Sequence, residues 1–85
     1  MITMTPNLRS IVDHDGAVIL DISNNAMTTL NSTGAYIWQR LQLGLLPNEI
    51  AAELAHATGT EEGLVAIDVD EFMAQLKSKK LVAVD

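Results

Sequence analysis

The chain has 85 residues, of which 11 are acidic and 5 are basic, so its formal net charge is −6. This balance argues against binding to nucleic acid or to an anionic membrane surface, because both depend on Lys and Arg. The absence of Cys excludes disulfides and thiolate metal ligands. Neither a signal peptide nor an apolar run of membrane length is visible. We therefore expect one cytoplasmic domain over residues 1–85.

Turn-forming residues divide the first third of the chain into short stretches. Residues 1–6 are expected to be a loose N-terminal segment. Three predicted strands follow, over residues 7–13, 17–22 and 26–30. The stretches between them, His14-Asp15-Gly16 and Ser23-Asn24-Asn25, have the composition of tight turns. Successive strands are therefore expected to pair antiparallel as a meander.

The spacing of apolar residues changes from a strand period to a helical period at Leu30. Asn31 or Ser32 is expected to cap the first helix by accepting a hydrogen bond from a free backbone N–H. Gly44 marks the predicted end of that helix. Pro47 fits the first turn of a second helix, where its missing N–H leaves no bond unmade.

A third helix is predicted to begin within residues 61–64. Its apolar stripe consists of Val65, Val69, Phe72, Met73 and Leu76. Residues 81–84 are expected to pack back on the core. The order of three strands followed by three helices predicts an α+β fold, with the helices packed on one side of a small antiparallel sheet.

Side chains with catalytic potential do not form a recognisable site. His14 and His56 are far apart in the sequence and fit no metal-ligand spacing, so we expect both to be solvated or structural. Asp68, Asp70 and Glu71 cluster on one helical turn. A solvated acidic face is the simpler interpretation of this cluster, and contact with a bound peptide is the alternative. No catalytic residue, metal site or cofactor is predicted.

The third predicted strand is the more informative feature. If the strands lie in chain order, residues 26–30 form an edge of the sheet, where backbone N–H and C=O groups are unpaired. Most proteins protect such edges with charged residues or Pro, and this stretch contains neither. One interpretation is a short edge that water solvates. The other is a docking edge for an extended peptide, which would bind by strand addition.

Several segments together resemble the PqqD-like family. The most specific is Leu-Asn-Ser-Thr-Gly-Ala-Tyr-Ile-Trp at residues 30–38, and residues 15–21, 49–54, 68–76 and 81–82 continue the likeness. The resemblance covers residues 14–82. It implies a winged helix-turn-helix fold of three strands and three helices. It also implies a function, since many family members recognise the leader segment of a ribosomally made precursor peptide.

The family's mode of binding can be carried onto this sequence. The leader would pair with the third strand, formed by Ala26, Met27, Thr28, Thr29 and Leu30. The groove wall on the third helix would consist of Asp68, Val69, Phe72, Met73 and Leu76. Val69, Phe72 and Leu76 also belong to the apolar stripe, so core packing is the alternative role for them. Met73 lies at the edge of that stripe and is predicted to face the groove.

Two departures from the family pattern accompany this interpretation. Met27 and Thr28 stand where members often carry an aromatic residue, which affects the shape of the pocket. Lys80 stands where members commonly have Gly, which affects only the end of the third helix.

The resemblance leads to one main functional hypothesis and two alternatives. The main hypothesis is a non-enzymatic domain of a lasso-peptide pathway, a monomer or weak dimer that binds the precursor leader peptide and presents it to a separate leader peptidase. Within the same family, the alternative is a peptide chaperone for a radical enzyme in quinone-cofactor synthesis. A winged-helix DNA-binding regulator is the alternative of another class, and the low number of basic residues disfavours it.

Overall fold

Five strands and three helices make up the part of the chain that the computed structural model describes, residues 2–84. In chain order they are β1 (Ile2–Met4), β2 (Leu8–Asp13), β3 (Gly16–Asp21), β4 (Ala26–Asn31), α1 (Ser32–Gln42), α2 (Pro47–Thr58), α3 (Glu62–Ser78) and β5 (Val82–Val84). Strands β2, β3 and β4 form an antiparallel sheet in that order. The predicted fold class, a three-stranded antiparallel sheet followed by three helices, is confirmed.

Both predicted turns are held by an aspartate at the preceding strand end. The Asp13 carboxylate accepts hydrogen bonds from the backbone N–H groups of Asp15 at 2.8 Å and Gly16 at 3.1 Å. The buried Asp21 carboxylate accepts in the same way from the backbone and the side-chain amide of Asn24. Gly16 has a φ of 153°, and a Cβ there would lie 2.2 Å from the Leu30 carbonyl oxygen. Only glycine therefore lets β3 begin this close to β4.

The N-terminal segment differs from the sequence expectation. Residues 1–6 were predicted to be loose, but Ile2–Met4 forms β1 and pairs antiparallel with β5. Thr5 extends the pairing, since its N–H donates to the Leu81 carbonyl at 3.0 Å. The side chains of Ile2 and Met4 pack against the core while Thr3 is exposed, which is the alternation of a half-buried strand. A strand of three residues is too short for that alternation to be recognised in the sequence.

The helices begin and end where the sequence predicted. Asn31 is the N-cap of α1, and its side-chain oxygen accepts from the Gly34 N–H at 2.8 Å. Gly44 follows the end of α1 with a φ of 94°, and Pro47 is the first residue of α2. The Glu49 carboxylate accepts from the Leu46 N–H at 2.9 Å, which satisfies one of the free donors at the start of α2.

The end of α3 forms a Schellman motif. The Leu81 N–H donates to the Leu76 carbonyl at 2.9 Å, and the Lys80 N–H donates to the Lys77 carbonyl at 3.0 Å. Lys80 adopts a left-handed conformation with a φ of 59°. This is the position where the family pattern has Gly, and the structure gives the reason, because glycine reaches this conformation without strain.

The core lies between the three-stranded sheet and the helices. Its largest fully buried side chains are Trp38, Ile19, Ile37, Ile50, Leu76 and Val69. Leu81 and Val82 are also buried, so the prediction that the C-terminal residues pack back on the core is confirmed for these two, while Ala83 is exposed. The side chain of Val84 lies outside the described residues. Among residues 2–84, no helix has both the length and the apolar character needed to cross a membrane.

A polar cluster on the surface links α1 to α2. The Arg40 Nε donates to the Glu53 carboxylate at 2.7 Å, and the Tyr36 hydroxyl donates to the same carboxylate oxygen. The Arg40 guanidinium also lies over the Tyr36 ring, 4.7 Å from its centroid. The hydrogen bonds from Tyr36 and Arg40 lower the pKa of Glu53. Desolvation, followed by the hydrogen bond to Glu53, raises the pKa of Tyr36.

Candidate functional site

Strand β4 lies at one edge of the three-stranded sheet and, within the described residues, pairs only with β3. The predicted edge position of residues 26–30 is therefore confirmed. No charged residue and no Pro occurs along Ala26–Asn31. The strand thus lacks the features that usually prevent another chain from pairing with an exposed edge.

The register of the sheet determines which backbone groups of β4 are free. The Ile22 N–H donates to the Asn7 carbonyl at 3.1 Å, so the even-numbered residues of β3 also direct their backbone groups toward β2. The odd-numbered residues therefore bond to β4, at Ala26, Thr28 and Leu30. Because these directions alternate along a strand, the N–H and C=O groups of Met27 and Thr29 point away from the sheet.

The side chains of β4 alternate between the two faces of the sheet. Thr28 and Leu30 are half-buried and lie opposite Ile19 and Ala17, on the face that the helices cover. Met27, on the other face, is 66% exposed. A peptide strand added beside β4 would follow the same alternation and would direct every second side chain toward the helices.

A groove lies on the helical side of the sheet, between the start of α1 and the middle of α3. Its volume is about 340 Å³ and it is open to solvent. The lining residues come from the end of β4, from α1 and from α3: Asn31, Thr33, Gly34, Ile37, Asp68, Glu71, Phe72 and Gln75. We call the groove that these residues line the α1–α3 groove. It begins where β4 ends, so a peptide paired with the edge would lead directly to it.

Gly34 allows the floor of the α1–α3 groove to form. A Cβ at this position would lie 3.0 Å from Cε1 of Phe72 and 3.3 Å from Cβ of Leu30. The missing side chain therefore lets the Phe72 ring approach α1 next to the last residues of β4. This close approach accounts for a glycine in the first turn of a helix, where it otherwise weakens helix formation.

The structure divides the residues predicted for the groove wall into two groups. Asp68 and Phe72 line the α1–α3 groove, and their contact with a leader stays a prediction. Val69, Met73 and Leu76 do not line it, because they are buried in the core, with exposed fractions of 1%, 5% and 1%. The predicted groove position of Met73 is therefore wrong, and core packing is the observed role of Val69 and Leu76.

Helical geometry explains the error at Met73. At about 100° per residue, Phe72 and Met73 lie on opposite sides of Leu76, at about 40° and 60° from it. The α1–α3 groove borders the Phe72 side of the stripe. Met73 lies on the far side and packs into the core. The sequence pattern shows that the apolar stripe of α3 has two edges, but it does not show which edge borders the α1–α3 groove.

Two further groove residues of α3 were not part of the predicted groove wall: Gln75, and Glu71, which the sequence analysis considered only as a member of the acidic cluster. Glu71 lies three residues after Asp68, and Gln75 lies three residues after Phe72, so both follow from the spacing that brings side chains onto one helical face. The α1 contributors Thr33 and Gly34 were part of the family-like stretch at residues 30–38, but only the folded chain shows that they face α3.

The α1–α3 groove has an acidic wall. Its lining residues include two carboxylates, Asp68 and Glu71, and no basic side chain. Both carboxylates are exposed, and neither forms a hydrogen bond or an ion pair with another side chain of residues 2–84. The groove can therefore offer two negative charges to a bound molecule.

Groups suited to catalysis or metal binding are sparse in the same region. Within residues 2–84, no three His, Asp or Glu side chains are arranged to hold a metal ion. His14 lies in the exposed β2–β3 turn beside Asp15, and His56 is exposed on α2. Neither histidine lines the α1–α3 groove.

A family model described as coenzyme PQQ synthesis protein D (PqqD) matches residues 16–82. The chain belongs to the PqqD family. The resemblance found on the sequence is therefore confirmed, and the match runs from β3 to the start of β5. No match was found among curated proteins.

Two solved structures are similar in fold to this protein over nearly the full chain. One is described as lasso peptide synthetase B1 complexed with the leader peptide. It has 25% sequence identity, a TM-score of 0.87, and coverage of 98% of both chains. The other, TbiB1 in complex with the TbiA(beta) leader peptide, has 24% identity and a TM-score of 0.88, with 96% of this chain and 98% of that chain covered.

Proposed function

We propose that this PqqD-family protein binds the leader segment of a ribosomal precursor peptide as an added strand beside β4. The observation that carries the proposal is the unprotected edge, where the N–H and C=O groups of Met27 and Thr29 point outward along a strand whose last residue, Asn31, lines the α1–α3 groove. Backbone bonding to the edge would supply affinity, and side chains entering the groove would supply selectivity.

The similar structures favour a lasso-peptide pathway over quinone-cofactor synthesis. Both are described as complexes with a leader peptide, and one is named as lasso peptide synthetase B1. A role in quinone-cofactor synthesis is supported only by the description of the family model. In either pathway the first step is the same, capture of an extended leader by β4.

The proposed mechanism is tethering, in which the protein holds the leader and catalyses no reaction itself. Holding the leader would raise the effective concentration of the cleavage site at a separate leader peptidase. A leader bound along β4 and in the α1–α3 groove would leave the outer face of the sheet free. The exposed apolar side chains on that face include Ile11, Leu20 and Met27. Since exposed apolar surface of this kind marks interaction sites, this face is the surface proposed to receive the peptidase.

Residue-resolved amide hydrogen exchange by NMR tests the binding mode. The probe is a synthetic copy of the cognate leader peptide, which is to be identified by reading the neighbouring genes. We expect the amides of Met27 and Thr29 to gain protection, because their N–H groups become bonded. The opposite edge supplies a matched control, since the register also turns the N–H groups of Ser10 and Val12 outward from β2.

Two outcomes would overturn the proposal. One is the absence of any binding by the leader peptide. The other is equal protection of both sheet edges, or protection at β2 alone. Presentation to the peptidase has its own test, in which cleavage of the precursor by the peptidase is expected to be faster with this protein present. Mass spectrometry of the precursor incubated with this protein alone should show no change.

A further inference from the structure

Strand β2 is the other edge of the three-stranded sheet and, within residues 2–84, pairs only with β3. The backbone groups of Arg9, Ile11 and Asp13 are directed toward β3, so the N–H and C=O groups of Ser10 and Val12 point outward. On the outer face of the sheet, the side chain of Ile11 is 69% exposed and lies between those of Arg9 and Asp13. This edge therefore combines unpaired backbone groups with one basic and one acidic side chain on the same face.

Both charged side chains of β2 retain capacity for a further partner. Arg9 forms no ion pair and no side-chain hydrogen bond with another residue of 2–84. Asp13 holds the β2–β3 turn through Oδ1 alone, which leaves Oδ2 available. Charges on an edge strand usually prevent pairing with another chain. Here they have opposite signs and lie two residues to either side of Ile11, so they complement the same strand turned end for end.

The symmetry of a dimer restricts how β2 could pair with a second copy of itself. In a dimer with a two-fold axis, the two strands run antiparallel and each contact occurs twice. The axis must pass through a residue, because a shift by one residue would place the outer face of one copy beside the inner face of the other. An axis at Arg9 or Asp13 would oppose like charges. An axis at Ser10 or Val12 would place Ile11 opposite a charged residue.

An axis at Ile11 satisfies both the backbone and the side chains. Ser10 would then exchange backbone hydrogen bonds with Val12 of the second copy, and these are the residues whose N–H and C=O groups point outward. On the outer face, Ile11 would lie opposite Ile11, and each Arg9 would lie opposite an Asp13. Cross-strand pairs of apolar side chains and of opposite charges stabilise a sheet.

We propose that two copies of this chain associate through β2, as an antiparallel pair centred on Ile11, into one six-stranded sheet. The order of its strands would be β4-β3-β2-β2-β3-β4, so both β4 edges stay free at the far ends. A contact made by one pair of short strands is small, so we expect a dissociation constant of about 10 μM to 1 mM. The inference is independent of leader binding, because it concerns the opposite edge of the sheet.

Sedimentation equilibrium at concentrations from about 10 μM to 2 mM tests the proposal. We expect the mean mass of the wild-type protein to rise from 9.2 kDa toward twice that value. Arg9→Glu opposes two carboxylates in each charged pair, and it should weaken the association at least about tenfold. Lys77→Glu makes the same change in net charge at an exposed position on α3, and it should alter the association less than about twofold.

A cysteine cross-link locates the two-fold axis, since the chain has no Cys of its own. Residues opposed in a non-hydrogen-bonded antiparallel pair have Cα atoms about 4.5 Å apart, which a disulfide can span. Ile11→Cys should therefore form a disulfide-linked dimer under mild oxidation at about 100 μM. It should do so at least about tenfold faster than Met27→Cys, because only position 11 meets its own copy. Met27 is a matched control because it is 66% exposed on the same face.

Three results would overturn the inference. They are a wild-type protein that keeps the monomer mass at about 2 mM, an Arg9→Glu variant that associates as strongly as the wild type, and equally fast cross-linking at positions 11 and 27. Adding the leader peptide distinguishes the two edges of the sheet. A dimer joined through β2 should persist with the leader bound, whereas a dimer that the leader dissociates would be joined through β4, which also contradicts the inference.

Discussion

Proline substitution at Thr29 is expected to weaken leader binding by at least about tenfold while leaving the fold intact. The Thr29 N–H points away from the sheet, so its loss removes no bond from the free protein. Proline is tolerated on an edge strand when its position faces away from the ladder. In the complex, however, the substitution removes a hydrogen bond worth about 0.5–1.5 kcal/mol, and the ring obstructs the approaching strand.

The same substitution at the neighbouring residue, Thr28, is expected to destabilise the fold. Thr28 pairs with Ile19, and its backbone N–H points into the sheet. Thr28→Pro would leave the buried Ile19 carbonyl without its partner, at a cost of about 1–3 kcal/mol before any clash of the ring is added. On a domain of this size, each kcal/mol lowers the melting temperature by about 4–8 °C.

Thermal melting and calorimetric titration with the leader peptide separate the two effects. Thr29→Pro should melt within a few degrees of the wild type and bind at least about tenfold more weakly, whereas Thr28→Pro should melt markedly earlier. If Thr29→Pro binds the leader normally, the peptide does not pair with β4. If it unfolds as readily as Thr28→Pro, the assignment of the outward and inward N–H groups is wrong.

Three further predictions concern stability. Lys80→Gly should raise the free energy of unfolding by about 1 kcal/mol, because it relieves the left-handed conformation at the end of α3, and an unchanged melting temperature would contradict this. Glu53 has a pKa below its ordinary value of 4.5, so its contribution to stability is present above that pH and is lost as the pH falls below it. The melting advantage of the wild type over Glu53→Gln should shrink on acidification. Met73→Ala should cost about 2–5 kcal/mol, unlike Leu64→Ala at an exposed position, and equal melting of both would remove Met73 from the core.

The elements that the sequence predicted are those with local signals. The turns before β3 and β4 depend on Asp13 and Asp21, each of which bonds to residues two or three positions later. The cap at Asn31 likewise bonds to Gly34, only three residues away. Such contacts are encoded within a few residues, so composition and spacing are enough to place β2, β3, β4 and the start of α1 to within one residue.

The elements that the sequence missed depend on partners far along the chain. β1 is held by β5, in a register that places Ile2 opposite Val84. No local pattern in three residues can indicate that pairing. The position of Met73 has the same origin, because its burial depends on how α3 lies against the rest of the fold. Of the residues that line the α1–α3 groove, only Asp68 and Phe72 belonged to the predicted groove wall.

The position of charge on this fold also bears on the DNA-binding alternative. A winged helix that binds duplex DNA needs basic side chains to neutralise phosphates. On this chain, α3 instead exposes Asp68, Asp70 and Glu71, and the groove beside it contains no basic residue. A duplex brought to this surface would meet negative charge, whereas an extended peptide would meet unpaired backbone groups along β4. The same fold can serve either ligand, so the surface decides the function, and this surface favours a peptide.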